Sequence, residues 1–281
     1  MTKKYKPLKV KVRKIDDSEL DDREKSVAAF YDAVSKDYYK QHKGRFCDDI
    51  LEYFILHFLP KPPVDILDLG GGIGRFAVPL AKKGNTVLLY DLSDGMLESA
   101  KKIAAKQKVN LDYKKGSLTD LGSLASENFN AVISLNSALD YCRDYKNAFS
   151  EIFRVLKKEG IFIGSVNNRF AYATANALKQ GDLEVFVETM KTGNHYIHWG
   201  NAIHGHITHD FTQEELSSAI KEAGLKNVKI LGVFNLLGKY FHSYDILEKL
   251  DNDPFFKLQL EYAQKPEYIN NSTDFFFVCN K

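Results

Sequence analysis

The chain has 281 residues, 44% hydrophobic and 27% charged, with a formal net charge of +2. That composition excludes disordered and fibrous proteins and suffices for a sizeable core, read here as one domain with a lid. So small a charge sets up no global field for nucleic acid or an anionic membrane, and neither is expected as a partner.

Residues 1–23 join a basic stretch, "KKYKPLKVKVRK", to an acidic one, "DDSELDDRE". The two offset each other, so a tail or edge strand is expected there. The stretch itself lacks the apolar core expected of a signal peptide, and no apolar run reaches the roughly 18 residues of a membrane span. Cys47, Cys142 and Cys279 lie far apart and outside any C-x-x-C pair. Unpaired thiols in a reducing, cytoplasmic setting are expected.

From residue 24 to 60 the pattern is helical: Val27, Phe30, Tyr31, Val34 and Tyr38 recur at helical spacing, and "RFCDDILEYFILHFL" continues until "PKPP" stops it. Strands and helices then alternate. "VDILDL", "TVLLYDLS", "LDYKKGS", "NAVISLNS" and "IFIGSVN" read as strands. "GRFAVPLAKKG", "DGMLESAKKIAAKQ" and "YKNAFSEIFRVLKKEG" read as helices, the last stopped by Gly160. Such alternation predicts an α/β fold, a mostly parallel sheet covered on both faces. Residues 167–210 interrupt it for too long to be an idle connection, so they are read as an inserted, substrate-covering segment. A capping box, Thr212 and Glu215, restarts a helix, followed by the strand "KNVKILGVF", helical sequence from "YDILEKL" to Gln264, and a last strand, "DFFFVCN".

"DLGGGIGRFA", residues 68–77, places four glycines in five positions at a strand end. Glycines there let a ligand approach the main chain where a side chain would clash. Read from Gly72 the stretch is G-x-G-x-x-A, close to a dinucleotide loop; read from Asp68 it is D-x-G-x-G-x-G. Asp91, ending "TVLLYD", suits a ribose in either frame, so these residues alone leave both open.

With Asp68 two residues ahead of the first glycine, the stretch resembles motif I of the class I S-adenosylmethionine-dependent methyltransferases. The resemblance continues in order through "YDLSDGMLESAKK", "KKGSLTDL", "FNAVISLNSALDYC", "EIFRVLKKEGIFIGSVNN" and "DFTQEELSSAIKEAGLKNVKILG". It implies a Rossmann-like, seven-stranded, mostly parallel sheet with an antiparallel last strand. It also implies S-adenosylmethionine as cofactor and S-adenosylhomocysteine as product. On that basis Asp68, Gly70, Gly71 and Gly72 would line the methionine and ribose part, Asp91 the ribose hydroxyls, and Leu92 and Met96 the adenine face. Ser117 and Leu118 would meet the adenine edge, and Asn136 would lie near the methionine amine and the methyl. Two positions depart from the family pattern, Ser117 and Asn130, where acids are usual; Ser117 can still hydrogen-bond an adenine edge. The helix "FYDAVSKDYYKQ" resembles the family's lid, from which Tyr38, Tyr39 or Arg45 could reach the methionine carboxylate, Arg45 suiting it best.

The inserted segment crowds His195, His198, His204, His206 and His209 together. Without cysteine ligands or an H-E-x-x-H pattern no metal is expected. His204 or His206 would serve as general base or orient the substrate, because an imidazole titrates near neutral pH. His195, Tyr141, Tyr196 and Trp199 would contact the substrate. The expected reaction is methyl transfer to nitrogen or oxygen, or to carbon or sulfur, of a small molecule by a monomer or homodimer. Its rivals are an RNA or protein methyltransferase, a nicotinamide-dependent oxidoreductase and a nonenzymatic S-adenosylmethionine-binding protein.

Overall fold

A computed structural model describes residues 15, 17–42, 46–180, 183–197, 206–233 and 252–281. Strands β1 (Asp65–Leu69), β2 (Thr86–Asp91), β3 (Asp112–Lys115), β4 (Phe129–Ser134) and β5 (Leu156–Asn167) run parallel. Two later strands, β8 (Lys226–Val233) and β9 (Asp274–Asn280), complete a seven-stranded sheet in the order β3-β2-β1-β4-β5-β9-β8, with β9 antiparallel to both neighbours. This is the mostly parallel sheet with an antiparallel last strand that the sequence predicts. The order reverses between β1 and β4, and the crevice beyond the carboxyl ends of strands at such a point is where ligands bind in open α/β sheets.

Successive residues of a strand face opposite sides of the sheet, which gives the two cores. Ile66, Val87, Leu89, Ala131 and Ile133 pack on one face beneath α3 (Phe46–Phe58), α4 (Ala77–Lys82) and α5 (Asp94–Lys106). Leu67, Leu69, Tyr90, Val132 and Phe162 pack on the other beneath α6 (Tyr145–Val155) and α9 (Gln213–Glu222). Asn130, where the family pattern has an acid, accepts from the Asp65 N–H at 3.2 Å and the Lys157 ammonium at 3.1 Å. An amide oxygen is enough for both contacts.

Two features differ from the sequence reading. Residues 17–21 form a short helix, α1 (Asp17–Asp21), instead of a tail, anchored by the Arg23 side chain that follows it, 3% exposed and bonded to the Cys142 carbonyl and Asn194. Helix α6 ends at Val155, before the glycine stop, because Leu156 already pairs with Phe129 in the sheet and the turn is made by Glu159 at positive φ. The segment 167–210 contains α7 (Arg169–Gln180), α8 (Leu183–Thr192) and a hairpin of β6 (Asn194–Ile197) with β7 (His206–His209). Of the helical stretch 24–60, α2 (Arg23–His42) borders the crevice, whereas α3 buries Ile50, Phe54 and Ile55 in the first core, with Phe54 against Phe276. The expected helix "YDILEKL" falls outside the described residues, and α10 (Asn252–Tyr262) and α11 (Pro266–Ile269) lead into β9. Among the described residues no helix is long and apolar enough to cross a membrane.

Candidate functional site

Asp68 shares a face of β1 with Ile66, so strand alternation carries its carboxylate inward, to 2% exposure. Asp91 projects from β2 on the same face, two residues beyond Leu89, the partner of Asp68. Between them runs the glycine loop. Gly70 takes φ +67° and donates its N–H to the Tyr90 carbonyl at 2.8 Å, while a Cβ on it would stand 2.4 Å from Ala138. Gly72 takes φ +54°, and a Cβ there would meet no protein atom within 4 Å. Any side chain at Gly72 would therefore enter the crevice that the loop lines.

That crevice spans about 890 Å³, the open solvent at its mouth included. Asp68, Gly70, Gly71, Gly72, Asp91, Leu92, Met96, Ser117, Leu118, Asn136 and Tyr141 line it, as do Tyr38, Tyr31 and Arg75. Twelve sequence-selected residues, Tyr38 among them, are thus brought together. The two carboxylates differ in their partners. Asp91 accepts from the Gly72 N–H at 2.8 Å and the Ser93 N–H at 2.9 Å, so it pins the loop. Burial nevertheless raises its pKa above the ordinary carboxylate value. Oδ2 of Asp68 is buried without a hydrogen-bond partner among the described residues. Burial first and the neighbouring Asp91 second push the Asp68 carboxyl up to about 7.

Helix α2 closes one side. Its Asp32 carboxylate accepts from the Ser93 hydroxyl at 2.5 Å and the Gly95 N–H at 2.9 Å, at the amino end of α5, where a negative charge suits the helix dipole. A Cβ at Gly95 would stand 2.6 Å from the Ser35 hydroxyl, so this glycine permits the close seating of α2. On the opposite wall Asn136 and Ser137 adopt positive φ, 53° and 69°. Bonds from the Asn136 N–H to Ser165 and from the Ser137 hydroxyl to Asn167 hold that turn, which non-glycine residues adopt only at a cost.

The described histidines of the inserted segment, His195, His206 and His209, lie outside that lining. His206 is 1% exposed and outside the crevice lining, packed against Phe30, Tyr31 and Tyr141. Burial, then the nearby His195, lowers its pKa to about 4, so it is neutral at neutral pH. His195 and Tyr196 are on β6, also outside that lining, and Nδ1 of His195 lies 2.8 Å from Asp210 Oδ2 in a geometry too bent for a hydrogen bond. His209 contacts Asn194 and Glu215 through its two ring nitrogens. The Thr212 hydroxyl accepts the Glu215 N–H at 3.1 Å as the capping box predicts, but the Glu215 carboxylate turns to Tyr145, Arg169 and His209. Arg45, His198, Trp199 and His204 fall outside the described residues, as does the side chain of Tyr39. The sequence reading did not select Arg75 or Tyr31. The signals were present: Arg75 directly follows the fourth glycine, and Tyr31 sits on the α2 stripe.

The family profile described as "Methyltransferase domain" matches residues 66–160. A ubiquinone biosynthesis O-methyltransferase of Dinoroseobacter shibae is 29% identical over 187 residues, 66% of this chain and 70% of that protein. Several other curated relatives are matched over less than half their own length. Among solved structures, a Thermotoga maritima protein described as a possible histamine N-methyltransferase shares the fold at a TM-score of 0.58 and 17% identity, covering 90% of this chain and 99% of that one. A Haemonchus contortus phosphoethanolamine N-methyltransferase, in complex with phosphomonomethylethanolamine and S-adenosylhomocysteine, aligns at a TM-score of 0.55 and 18% identity, over 83% of this chain and 52% of that one. Residues 66–160, which run through the glycine loop, thus match a methyltransferase domain, set in a fold that the chain shares with solved methyltransferases.

Proposed function

We propose that the chain transfers a methyl group from S-adenosylmethionine to nitrogen or oxygen of a small molecule, leaving S-adenosylhomocysteine. The observation that carries this reading is Asp68. Its buried Oδ2, without a hydrogen-bond partner among the described residues and beside a bare glycine loop, suits a cationic donor, and the ammonium of the methionine moiety is one. The ligand supplies an activated methyl on a sulfonium; the chain supplies position. Asp91 holds the ribose hydroxyls while its own N–H contacts fix the loop, and Leu92, Met96 and Leu118 give an apolar face to adenine. Ser117 meets the adenine edge. Arg75, seated 2.8 Å from Asp48 and over the Tyr38 ring, stands at the crevice to meet the carboxylate, the role the sequence reading gave to Arg45. The wall of Tyr31, Tyr141 and α2 excludes water. The similar proteins are described variously as O- and N-methyltransferases, which supports an acceptor attacked at either atom. A cytoplasmic location fits the scattered cysteines.

Thermal unfolding with S-adenosylmethionine, S-adenosylhomocysteine or NAD tests the reading. Either adenosyl ligand at a hundred times its dissociation constant should add about 2.7 kcal/mol. A midpoint raised by NAD alone would overturn it.

A further inference from the structure

Behind the crevice lies a second, buried polar cluster that the proposed cofactor site does not use. The loop 136–142 separates the two: Asn136, Ala138, Tyr141 and Cys142 face the crevice, whereas Asp140, fully buried, is absent from its lining. Asn167, at the end of β5, clamps two carboxylates at once. Its backbone N–H donates to Oδ2 of Asp140 at 3.0 Å and its side-chain amide to Oδ1 of Asp210 at 2.9 Å. Each carboxylate thus has one oxygen fixed and one left over. Oδ1 of Asp140 and Oδ2 of Asp210 have no hydrogen-bond partner among the described residues. The same holds for the Thr208 hydroxyl and for both ring nitrogens of His195 and of His206, all buried.

The local charge is lopsided. Arg23 and Arg169 are the cations at the cluster among the described residues, yet Arg23 donates to the Cys142 carbonyl and Asn194, and Arg169 to the Asp210 backbone carbonyl and Glu215, not to either open carboxylate oxygen. His195 Nδ1 stands 2.8 Å from Asp210 Oδ2 without the alignment of a hydrogen bond, so among the described residues neither open carboxylate oxygen has a well-directed cationic donor. Buried carboxylate oxygens in that condition call for a charged or multiply donating partner. A metal ion does not suit: among the described residues no three such side chains are arranged to hold one. An ammonium does, because it brings three donors and one positive charge, and aromatic faces favour it as well. Those faces are present. Tyr141 and Tyr31 pack against His206 at ring distances of 5.0 and 6.3 Å, and Tyr172 stacks on His195 at 6.1 Å.

We propose that Asp140, Asp210, His195 and His206 form the subsite for the head group of the methyl acceptor, and that the acceptor is a small amine held by the open carboxylate oxygens. The wall between this subsite and the cofactor crevice is the pair Tyr31 and Tyr141, whose hydroxyls are hydrogen-bonded at 3.1 Å, so an acceptor reaching the crevice parts or lines that pair. The assignment rests on the methyl-transfer reading, because it takes the crevice to be filled by the cofactor.

Calorimetric titration of the full chain, with and without saturating S-adenosylhomocysteine, tests it using paired probes: tyramine against the corresponding alcohol, tyrosol, and ethanolamine against ethylene glycol. At least one amine should bind at least roughly tenfold more tightly than its alcohol, the scale of one charge-assisted contact. Asp140→Asn and Asp210→Asn should each weaken that amine by a similar factor while leaving S-adenosylhomocysteine affinity within about twofold. Amines no tighter than alcohols on the unaltered protein would overturn the proposal and assign the cluster to ordered water. Unchanged amine affinity in both variants would overturn it too. Should the variants fail to fold, the amine-against-alcohol comparison on the unaltered protein decides alone. Failure of S-adenosylhomocysteine to bind that protein would sink the methyl-transfer reading instead, and an amine preference measured without it would leave the subsite standing.

Discussion

The two sides of the crevice are built by different means. The β1–β2 side takes its carboxylates and bare backbone from two short stretches, 68–74 and 91–96, set on adjacent strands in fixed register. The opposite side draws Tyr31 from α2, Tyr141 from the turn after β4, and, behind them, His206 from the β6–β7 hairpin. One side is a local motif and the other is an assembly of distant segments. Changes on the first should therefore act on cofactor affinity, and changes on the second should spare it.

The largest test is Asp91→Ala. It removes the proposed ribose contact together with the two N–H bonds that pin the loop, and S-adenosylhomocysteine affinity by titration calorimetry should fall roughly 100-fold, about 2.7 kcal/mol. An unchanged affinity would dissolve the distinction between the two sides.

A change of pH is the next. The Asp68 carboxyl is raised from 3.8 to about 7, so between those values the folded chain keeps a proton that the unfolded chain has lost. Unliganded stability from this group therefore declines as pH rises through that window. Ligand affinity moves the other way, because the proposed ammonium contact needs the ionised form. S-adenosylhomocysteine should bind roughly tenfold more weakly at pH 6 than at pH 8, and Asp68→Asn should flatten that profile.

Gly95→Ala sharpens the comparison at the seam. The added Cβ collides with Ser35 and should unseat α2, costing about 1–3 kcal/mol by chemical denaturation and hastening proteolysis within 23–42. Tyr31→Phe should do least: loss of the hydroxyl pair with Tyr141 costs about 1 kcal/mol or less, with S-adenosylhomocysteine affinity unchanged. A large loss of affinity here would show that Tyr31 belongs to the cofactor side.

The same division explains what could be read from the sequence. Asp68, the glycines and Asp91 are legible because a strand's alternation and a loop's bareness are local properties, and the ordered motifs give the sheet. Asp140 was invisible because nothing local distinguishes a buried carboxylate from a solvated one, and its meeting with Asp210 depends on Asn167, 27 and 43 residues away. His206 shows the converse: its residue type suggested a base, but only its packing among Phe30, Tyr31 and Tyr141 reveals a neutral ring away from the crevice lining. The α6 end was missed because Gly160 is a strong stop signal that strand pairing at Leu156 overrode.

The place of β9 has a consequence for biosynthesis. It lies between β5 and β8 and is the strand through which β8 joins the sheet, yet it is the last of the seven to leave the ribosome. The five parallel strands can pair as they emerge, but β8 must wait with its edge open until β9 threads in. That late insertion makes the aromatic run "DFFFVCN" the step that closes the sheet, and the nascent chain is most exposed to edge-to-edge aggregation just before it.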